Sequence, residues 1–404
     1  MGKAFIPNEA TFPQTADAVV IGGGIVGVAT AFWLSRAGLD IVLVEMRDGL
    51  STLTTAESIE SFRLQFTEPA MSALVQPSVE MFENFADVIG IPGYDIDIHH
   101  QGYLFVTDDG AMVDDVRAAV EKHHELGVID SEFLTGDEAR ARFPFLSGSV
   151  VGGTFRQRDG WFSTHEATQG FAKGCDARFL LRTKATDVLQ DTQGVCGVET
   201  DRGTIATRTV VNAAGPFAGV VGRMAGLELP LEPVRRQKVF LSSQPKVPQD
   251  APLTIDLVRD VYWRPETGGA YIAWVDPDEP VSENPSENPY TDPYFAAIVL
   301  EKLINLTPFW EDVAMGLKKA DVHPSAGYYV YTPDDQPLIG PVAEAPGFYL
   351  NCGYWAGVML SAGSGKWVTD LVTGAMDPQD NPLRFSRYEE GIVVEGDSFL
   401  RGRH

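Results

Sequence analysis

The sequence predicts a mixed α/β fold opening on a strand–turn–helix–strand unit. Three observations predict it: an apolar strand that ends in glycines, an amphipathic helix behind it, and a second apolar strand that closes on an acid. The run is DAVVIGGGIVGVATAFWLSRAGLDIVLVE, from Asp17 to Glu45. Gly22 lets the chain turn sharply off the first strand. Gly24 lets backbone N–H groups approach a pyrophosphate, and Gly27 lets the helix pack closely on the sheet. The positive end of that helix then faces the phosphates. Glu45 stands about 20 residues after the turn, where a carboxylate accepts both hydroxyls of an adenosine ribose and disfavours a 2′-phosphate. These residues predict a bound dinucleotide.

The elements beyond this unit alternate in type. Ser72 to Val88 and Met112 to Leu126 have helical apolar spacing, whereas Arg178 to Leu189, Gly194 to Thr200 and Thr204 to Val211 read as successive strands. VVNAAGPFAG, Val210 to Gly219, is a buried strand that ends in small residues and opens a helix, a second close approach of backbone to ligand. Aromatic strand candidates follow at Val261 to Pro265 and Ala270 to Val275, then a proline-rich loop, Pro277 to Pro293, and a helical pattern from Tyr294 to Leu306. This block predicts a separate sheet with its own cover. From Thr332 to Gly374 the pattern is a turn, a hairpin-like pair of strands, a glycine-rich loop and a closing helix that begins near Ala362 and aims its positive end at a ligand.

Composition excludes several classes. With 404 residues and 44% hydrophobic content the chain buries a large core and is expected to form two or three domains. A net charge of -25 with scattered basic residues argues against a nucleic-acid surface. No apolar run approaches the roughly 20 residues that span a bilayer. Met1 to Thr15 lack the pattern of a signal peptide and read as a short arm over the fold, so a cytoplasmic location is expected. Cys175, Cys196 and Cys352 show no C-x-x-C spacing and are expected as free thiols in a reducing compartment. The pairs His99-His100 and His123-His124 lack a ligand-type arrangement, so no metal is expected.

Three separated segments, GGGIVG with Glu45, then VVNAAGPFAG, then TPDDQPLIGP followed by NCGYWAGVMLSAGSGKW, occur in one order and spacing. In these the chain resembles the D-amino-acid oxidase and sarcosine oxidase superfamily of FAD-dependent oxidoreductases, nearest the sarcosine oxidase branch, from about Ala16 to Gly374. The resemblance implies a Rossmann-like α/β FAD-binding domain from residues 1–92, 150–230 and 325–404. It leaves 93–149 and 231–324 for an α+β substrate domain whose antiparallel sheet roofs the flavin. Carried over by position, Gly22, Gly24, Ile25, Val26 and Gly27 meet the pyrophosphate, Glu45 and Met46 the ribose side, and Thr54 and Thr55 the phosphate and ribityl region. Ala185 falls beside adenine, and Ala214, Gly215 and Phe217 lie along the cofactor. The stretch Gly353, Tyr354, Trp355, Ala356, Gly357, Val358 and Met359 is expected under the pyrimidine edge.

The implied reaction moves a hydride from a C–H bond beside nitrogen to flavin N5, leaving an imine that water hydrolyses. The implied substrate is a secondary amine or an N-substituted or cyclic amino acid, with O2 or another acceptor taking the electrons. Arg63 aligns with an arginine that grips the substrate carboxylate, and Tyr329 with an active-site tyrosine of the sarcosine oxidase branch. Met359 stands in place of a second carboxylate-binding lysine and Glu60 in place of an arginine. With Tyr262, Trp263, Tyr271, Trp274 and Trp355 as candidate walls, a pocket sparse in cations and suited to a larger, partly apolar amine is expected. Gly327 occupies the place of a cysteine that bonds FAD covalently, so FAD is expected to be non-covalent. Tyr271 is aligned with a lysine that assists oxygen reduction. Two other functions stay open: an FAD-dependent 2-hydroxy acid dehydrogenase, and a catalytically silent flavoprotein that serves as an assembly partner.

Overall fold

A computed structural model describes residues 2–392 and 394. The strands Ala18–Ile21 and Ile41–Val44 are buried on both faces, which is why AVVI and IVLV are apolar without alternation. They sit in a seven-stranded sheet ordered Lys3–Phe5, Arg178–Leu180, Ile41–Val44, Ala18–Ile21, Val210–Asn212, Phe348–Cys352, Leu338–Pro341. Neighbours run parallel until the last strand, which pairs antiparallel with Phe348–Cys352. Successive side chains point to opposite faces. Ala18, Val20, Ile41 and Leu43 meet the helices Ile25–Arg36, Pro69–Glu83, Thr164–Lys173 and Gly357–Thr373, in a core with Phe32, Leu74 and Phe171. Val19, Ile21, Val42 and Val44 meet a three-stranded sheet, Ala185–Asp191, Gly194–Thr200 and Gly203–Ala206, and the helix Ala218–Met224. Each large apolar side chain so buried contributes about 1.5–3 kcal/mol.

Three local expectations are corrected. Arg178 to Leu189 is two strands, because the chain leaves the first sheet at Leu180 and re-enters a different sheet at Ala185. Thr204 to Val211 divides likewise, into Gly203–Ala206 and Val210–Asn212. The N-terminal arm is an edge strand, Lys3–Phe5, paired parallel with Arg178–Leu180.

A second sheet of eight strands faces the ends of the first. Its order is Val322–Tyr331, Glu232–Leu241, Gly269–Trp274, Val261–Glu266, Leu253–Asp256, Tyr103–Thr107, Gly152–Arg156, Glu132–Thr135. All its pairings are antiparallel except Leu253–Asp256 with Tyr103–Thr107. Helices Phe295–Leu303 and Phe309–Gly316 cover its outer face, where Val239, Trp263, Ile272 and Trp310 form a core. The fold is therefore the expected pairing of a mostly parallel α/β sheet with a mainly antiparallel one. No described helix is long and apolar enough to cross a membrane.

Candidate active site

One continuous cavity of about 520 Å³ runs from the carboxyl ends of the first sheet's strands to the inner face of the second. Its floor begins at the glycine turn. Gly22 has φ +114, and a Cβ there would lie 2.4 Å from Ala213 O, so no other residue fits. Gly24, Ile25 and Val26 line the cavity, and the nearest atom to a Cβ on Gly24 is Thr55 Oγ1 at 3.3 Å. Gly27 does not line it, unlike the contact that the resemblance implies, and instead has the packing role that its spacing predicts. Its missing Cβ would sit 2.0 Å from Gly22 O, so it seats the helix against the turn.

Glu45 lines the same end. Its Oε2 accepts Gly23 N–H at 2.6 Å and its Oε1 accepts Arg47 N–H at 2.7 Å. Burial raises its pKa, and those two N–H bonds oppose the shift. Met46, Thr54, Thr55 and Ala185 line the wall beside it, followed by Ala214, Gly215 and Phe217. The helix Gly357–Thr373 begins five positions before the expected start at Ala362, since Ala356 is its N-cap. This puts the first-turn residues Gly357, Val358 and Met359 on the cavity wall with Tyr354, Trp355 and Ala356. Gly353 is off the wall. It has φ +80 and packs against Thr332 and Leu231, so its task is the turn.

The second sheet supplies the roof. Tyr262 and Tyr329 line the cavity with their hydroxyls 3.4 Å apart. Burial lifts Tyr262 well above the usual phenol range, and the Tyr329 hydroxyl adds to the shift. Arg63 follows the short strand Ser61–Phe62 and is almost fully buried. It donates to Gln65 O, and its guanidinium lies 3.9 Å from the Phe66 ring centroid and 5.9 Å from that of Trp355.

The expectation of a cation-poor pocket is overturned. Glu60, held at φ +63, takes Thr164 Oγ1–H at 2.9 Å and pairs with buried Arg264 at 3.1 Å, so its charge is matched. Arg236 and Lys238 both line the cavity from the strand Glu232–Leu241. Lys238 Nζ donates to Ala56 O at 2.9 Å and Ser58 O at 2.7 Å, and burial lowers its pKa. Tyr271 stays off the cavity wall, with its ring 4.5 Å from Lys238 Nζ and 4.8 Å from Arg264 Cζ. Trp263 and Trp274 are corrected too: they pack on the outer face of the sheet, because a strand sends alternate residues to opposite sides. The same alternation, applied to EPVRRQKVFL, puts Arg236 and Lys238 opposite Val239 and Leu241 and would have found them.

The proline-rich loop expected at Pro277 to Pro293 also reaches the cavity, a contact its composition does not signal. Asn284, Pro285 and Glu287 line the cavity, and Arg47 Nη1 donates to Glu287 O at 2.6 Å, tying the loop to the glycine cradle.

Comparison with known proteins fits this geometry. A family model described as DAO, FAD dependent oxidoreductase, matches residues 17–371. Human mitochondrial dimethylglycine dehydrogenase is 26% identical over 408 residues, covering 96% of this chain and 46% of that protein. Human mitochondrial sarcosine dehydrogenase is 27% identical over 376 residues, covering 88% of this chain and 39% of that protein. The chain thus spans about half the length of the curated relatives it matches, or somewhat less. Among solved structures, L-proline dehydrogenase from P. horikoshii superposes with a TM-score of 0.82 at 26% identity, covering 95% of this chain and 100% of that one.

Proposed function

The chain belongs to the FAD-dependent oxidoreductase family, and from that premise we propose that it oxidises a C–N bond of a secondary amine or an N-substituted or cyclic amino acid, releasing an imine. The observation that carries this reading is the continuous cavity that joins the glycine cradle to Arg63 and to a roof bearing Tyr262 and Tyr329. The named relatives support the substrate class: dimethylglycine, sarcosine and proline all have a nitrogen bearing a carbon besides the α-carbon.

The lining residues fit FAD. Gly22 to Val26 offer backbone N–H groups and a helix N-terminus to the pyrophosphate, and Glu45 offers carboxylate lone pairs to the ribose. When bound, FAD supplies the hydride acceptor. The chain's own residues do the rest. The first-turn N–H groups of the helix at Gly357 stabilise negative charge at the pyrimidine edge. Arg63 holds the substrate carboxylate through two parallel N–H bonds. Tyr262 stays protonated and, with Tyr329 and Trp355, shapes an apolar lid that keeps water from the reacting carbon. In Gly327 this chain has no thiol for a covalent link. A Cβ there would already lie 3.1 Å from Glu57 Cβ and 3.2 Å from Thr54 Cα, so we infer non-covalent FAD, released by acid.

We keep the division into a cofactor domain of residues 1–92, 150–230 and 325–404 and a roof of 93–149 and 231–324, with the strands Gly152–Arg156 and Val322–Tyr331 assigned to the roof. Lys238 brings an ammonium to the roof, 4.5 Å from the ring of Tyr271, the residue aligned with the lysine that assists oxygen reduction. The relatives' names favour a different acceptor. The test is peroxide formed per substrate consumed, expected well below one; a stoichiometric yield would make the protein an oxidase. The buried Cys175 and Cys352 thiols fit a reducing compartment such as the cytoplasm.

A further inference from the structure

Three buried arginines on the roof and in the C-terminal region come with a counter-charge. Arg156 pairs with Asp130 and Asp159, Arg264 with Glu60 and Glu266, and Arg387 with Asp334. The less buried Arg235 and Arg259 hold Glu279 and the pair Asp108 and Asp256. The reason is energetic: a guanidinium removed from water without an anion loses hydration that neutral acceptors only partly replace.

Arg236, half-buried on the cavity wall, has no counter-charge among the described residues. It lines the cavity, its Nη1 donates to Asp276 O at 2.8 Å and its Nη2 to Tyr331 Oη at 3.1 Å. Both acceptors are neutral, since burial raises the Tyr331 phenol. Nε is buried and has no hydrogen-bond partner among the described residues, and none of their ion pairs involves Arg236. Asp260 and Asp335 share the cavity wall and hold contacts of their own.

Its position relates it to the other cavity arginine. The guanidinium lies 5.9 Å from the Tyr329 ring centroid and 5.7 Å from that of Tyr331. Tyr329 touches Tyr262 through the 3.4 Å hydroxyl pair, Tyr262 packs in one apolar cluster with Tyr103, and the Tyr103 ring and the Arg63 guanidinium lie 5.2 Å and 5.3 Å from the Phe105 ring centroid. A row of phenols therefore runs between two guanidinium groups. Phenols offer neutral hydrogen bonds and apolar faces along the row, and each end offers a planar fork that matches a carboxylate.

We propose that Arg236 receives a second anionic group of the substrate, so that the compound oxidised is an N-substituted amino acid with two carboxylates, one held toward Arg63 and the other toward Arg236. This rests on the amine-oxidation reading given above and narrows its substrate class.

The test uses the FAD-loaded full chain and probes that cannot be oxidised as amines. Succinate and glutarate are titrated against butyrate and pentanoate, matched in carbon count, with the flavin absorption spectrum as readout. The dicarboxylates are expected to bind at least about tenfold more tightly, the worth of one charge-assisted fork, and Arg236→Gln to reduce that preference to about threefold or less. Arg236→Lys, which keeps the charge and loses the fork, should retain part of the preference; it also serves if the glutamine variant does not fold. Equal affinity for the matched acids, no spectral change with any of them, or a full preference surviving in either variant would overturn the proposal. In a second arm the same protein is mixed anaerobically with an N-carboxymethyl and an N-methyl amino acid. The diacid is expected to reduce the flavin faster, and Arg236→Gln to remove its advantage; a faster N-methyl compound in the wild type contradicts the proposal. Reduction by neither, with the dicarboxylate preference intact, refutes amine oxidation and leaves the anion site standing.

Discussion

The floor and the roof of the cavity are made from different materials. On the floor the decisive positions are glycines and backbone N–H groups: Gly22, Gly24 and Gly27 around the turn, and the first turn of the helix at Gly357. On the roof they are long side chains, Arg236, Lys238, Tyr262 and Tyr329, presented by neighbouring strands of an antiparallel sheet. Backbone geometry tolerates little variation, so the floor suits a fixed, large ligand. Side chains exchange freely on a pleated surface, so the roof is where one member of a fold differs from another.

The first way to break this contrast is to exchange neighbours on one roof strand. Trp263 is fully buried among Phe145, Phe309 and Trp310, whereas Tyr262 faces the cavity. Trp263→Ala is expected to cost about 3–5 kcal/mol of stability in urea unfolding with KM unchanged. An unfolding midpoint close to wild type, with altered KM, would mean that the strand is read on the wrong face.

The floor is probed by Gly27→Val. With a backbone oxygen 2.0 Å from the added carbon, the helix must leave the turn. A loss of about 3 kcal/mol or more is expected, together with loss of bound flavin, read from the melting temperature and the flavin-to-protein absorbance ratio. A variant that keeps its flavin at wild-type stability would remove the floor from the account.

Arg63→Met sharpens the comparison where floor and roof meet over the substrate. Removal of a charge-assisted carboxylate anchor is expected to lower kcat/KM by about 30- to 150-fold, the equivalent of about 2–3 kcal/mol. The flavin content should stay near wild type. A loss of flavin in step with activity would place Arg63 in the floor's machinery.

The smallest effect concerns pH. Burial lowers the His123 pKa from 6.5 to about 3, so the native state keeps this ring neutral while the unfolded chain protonates it. Its contribution to stability is thus full above pH 6.5 and is lost progressively as pH falls from there toward 3. Unfolding free energies at pH 7 and pH 5 should differ by about 1–2 kcal/mol from this group. His123→Leu should flatten that slope; an unchanged slope would assign it to other groups.

The two regions were also unequally legible in the sequence. The floor could be read from glycine spacing because no other residue meets a φ of +114 beside Ala213 O, and the strands AVVI and IVLV are apolar throughout. Spacing alone reads Gly27 as the seat of the helix, which the close Gly22 oxygen bears out, whereas the resemblance places Gly27 and Gly353 on the wall, where a Cβ on either would meet protein instead. On the roof, residue type gave no guide to face. Trp263 is as aromatic as Tyr262, and only alternation along the strand separates them, whereas Tyr271 shares the face of Tyr262 but lies beyond the cavity, opposite Arg264. Arg236 and Lys238 lay inside a strand pattern that alternation would have resolved, whereas Asn284 and Glu287 sit in an irregular loop whose path depends on contacts such as Arg47 with Glu287.

The central claim is that floor and roof enclose one FAD from which a bound amine is oxidised. Anaerobic mixing of the purified protein with secondary amines, N-methyl amino acids, N-carboxymethyl amino acids and cyclic imino acids tests it most directly, with the oxidised-flavin absorption followed in time. The account predicts a yellow protein whose colour bleaches with at least one of these donors. Colourless protein that FAD cannot reconstitute, or bound flavin that none of them reduces, would contradict it.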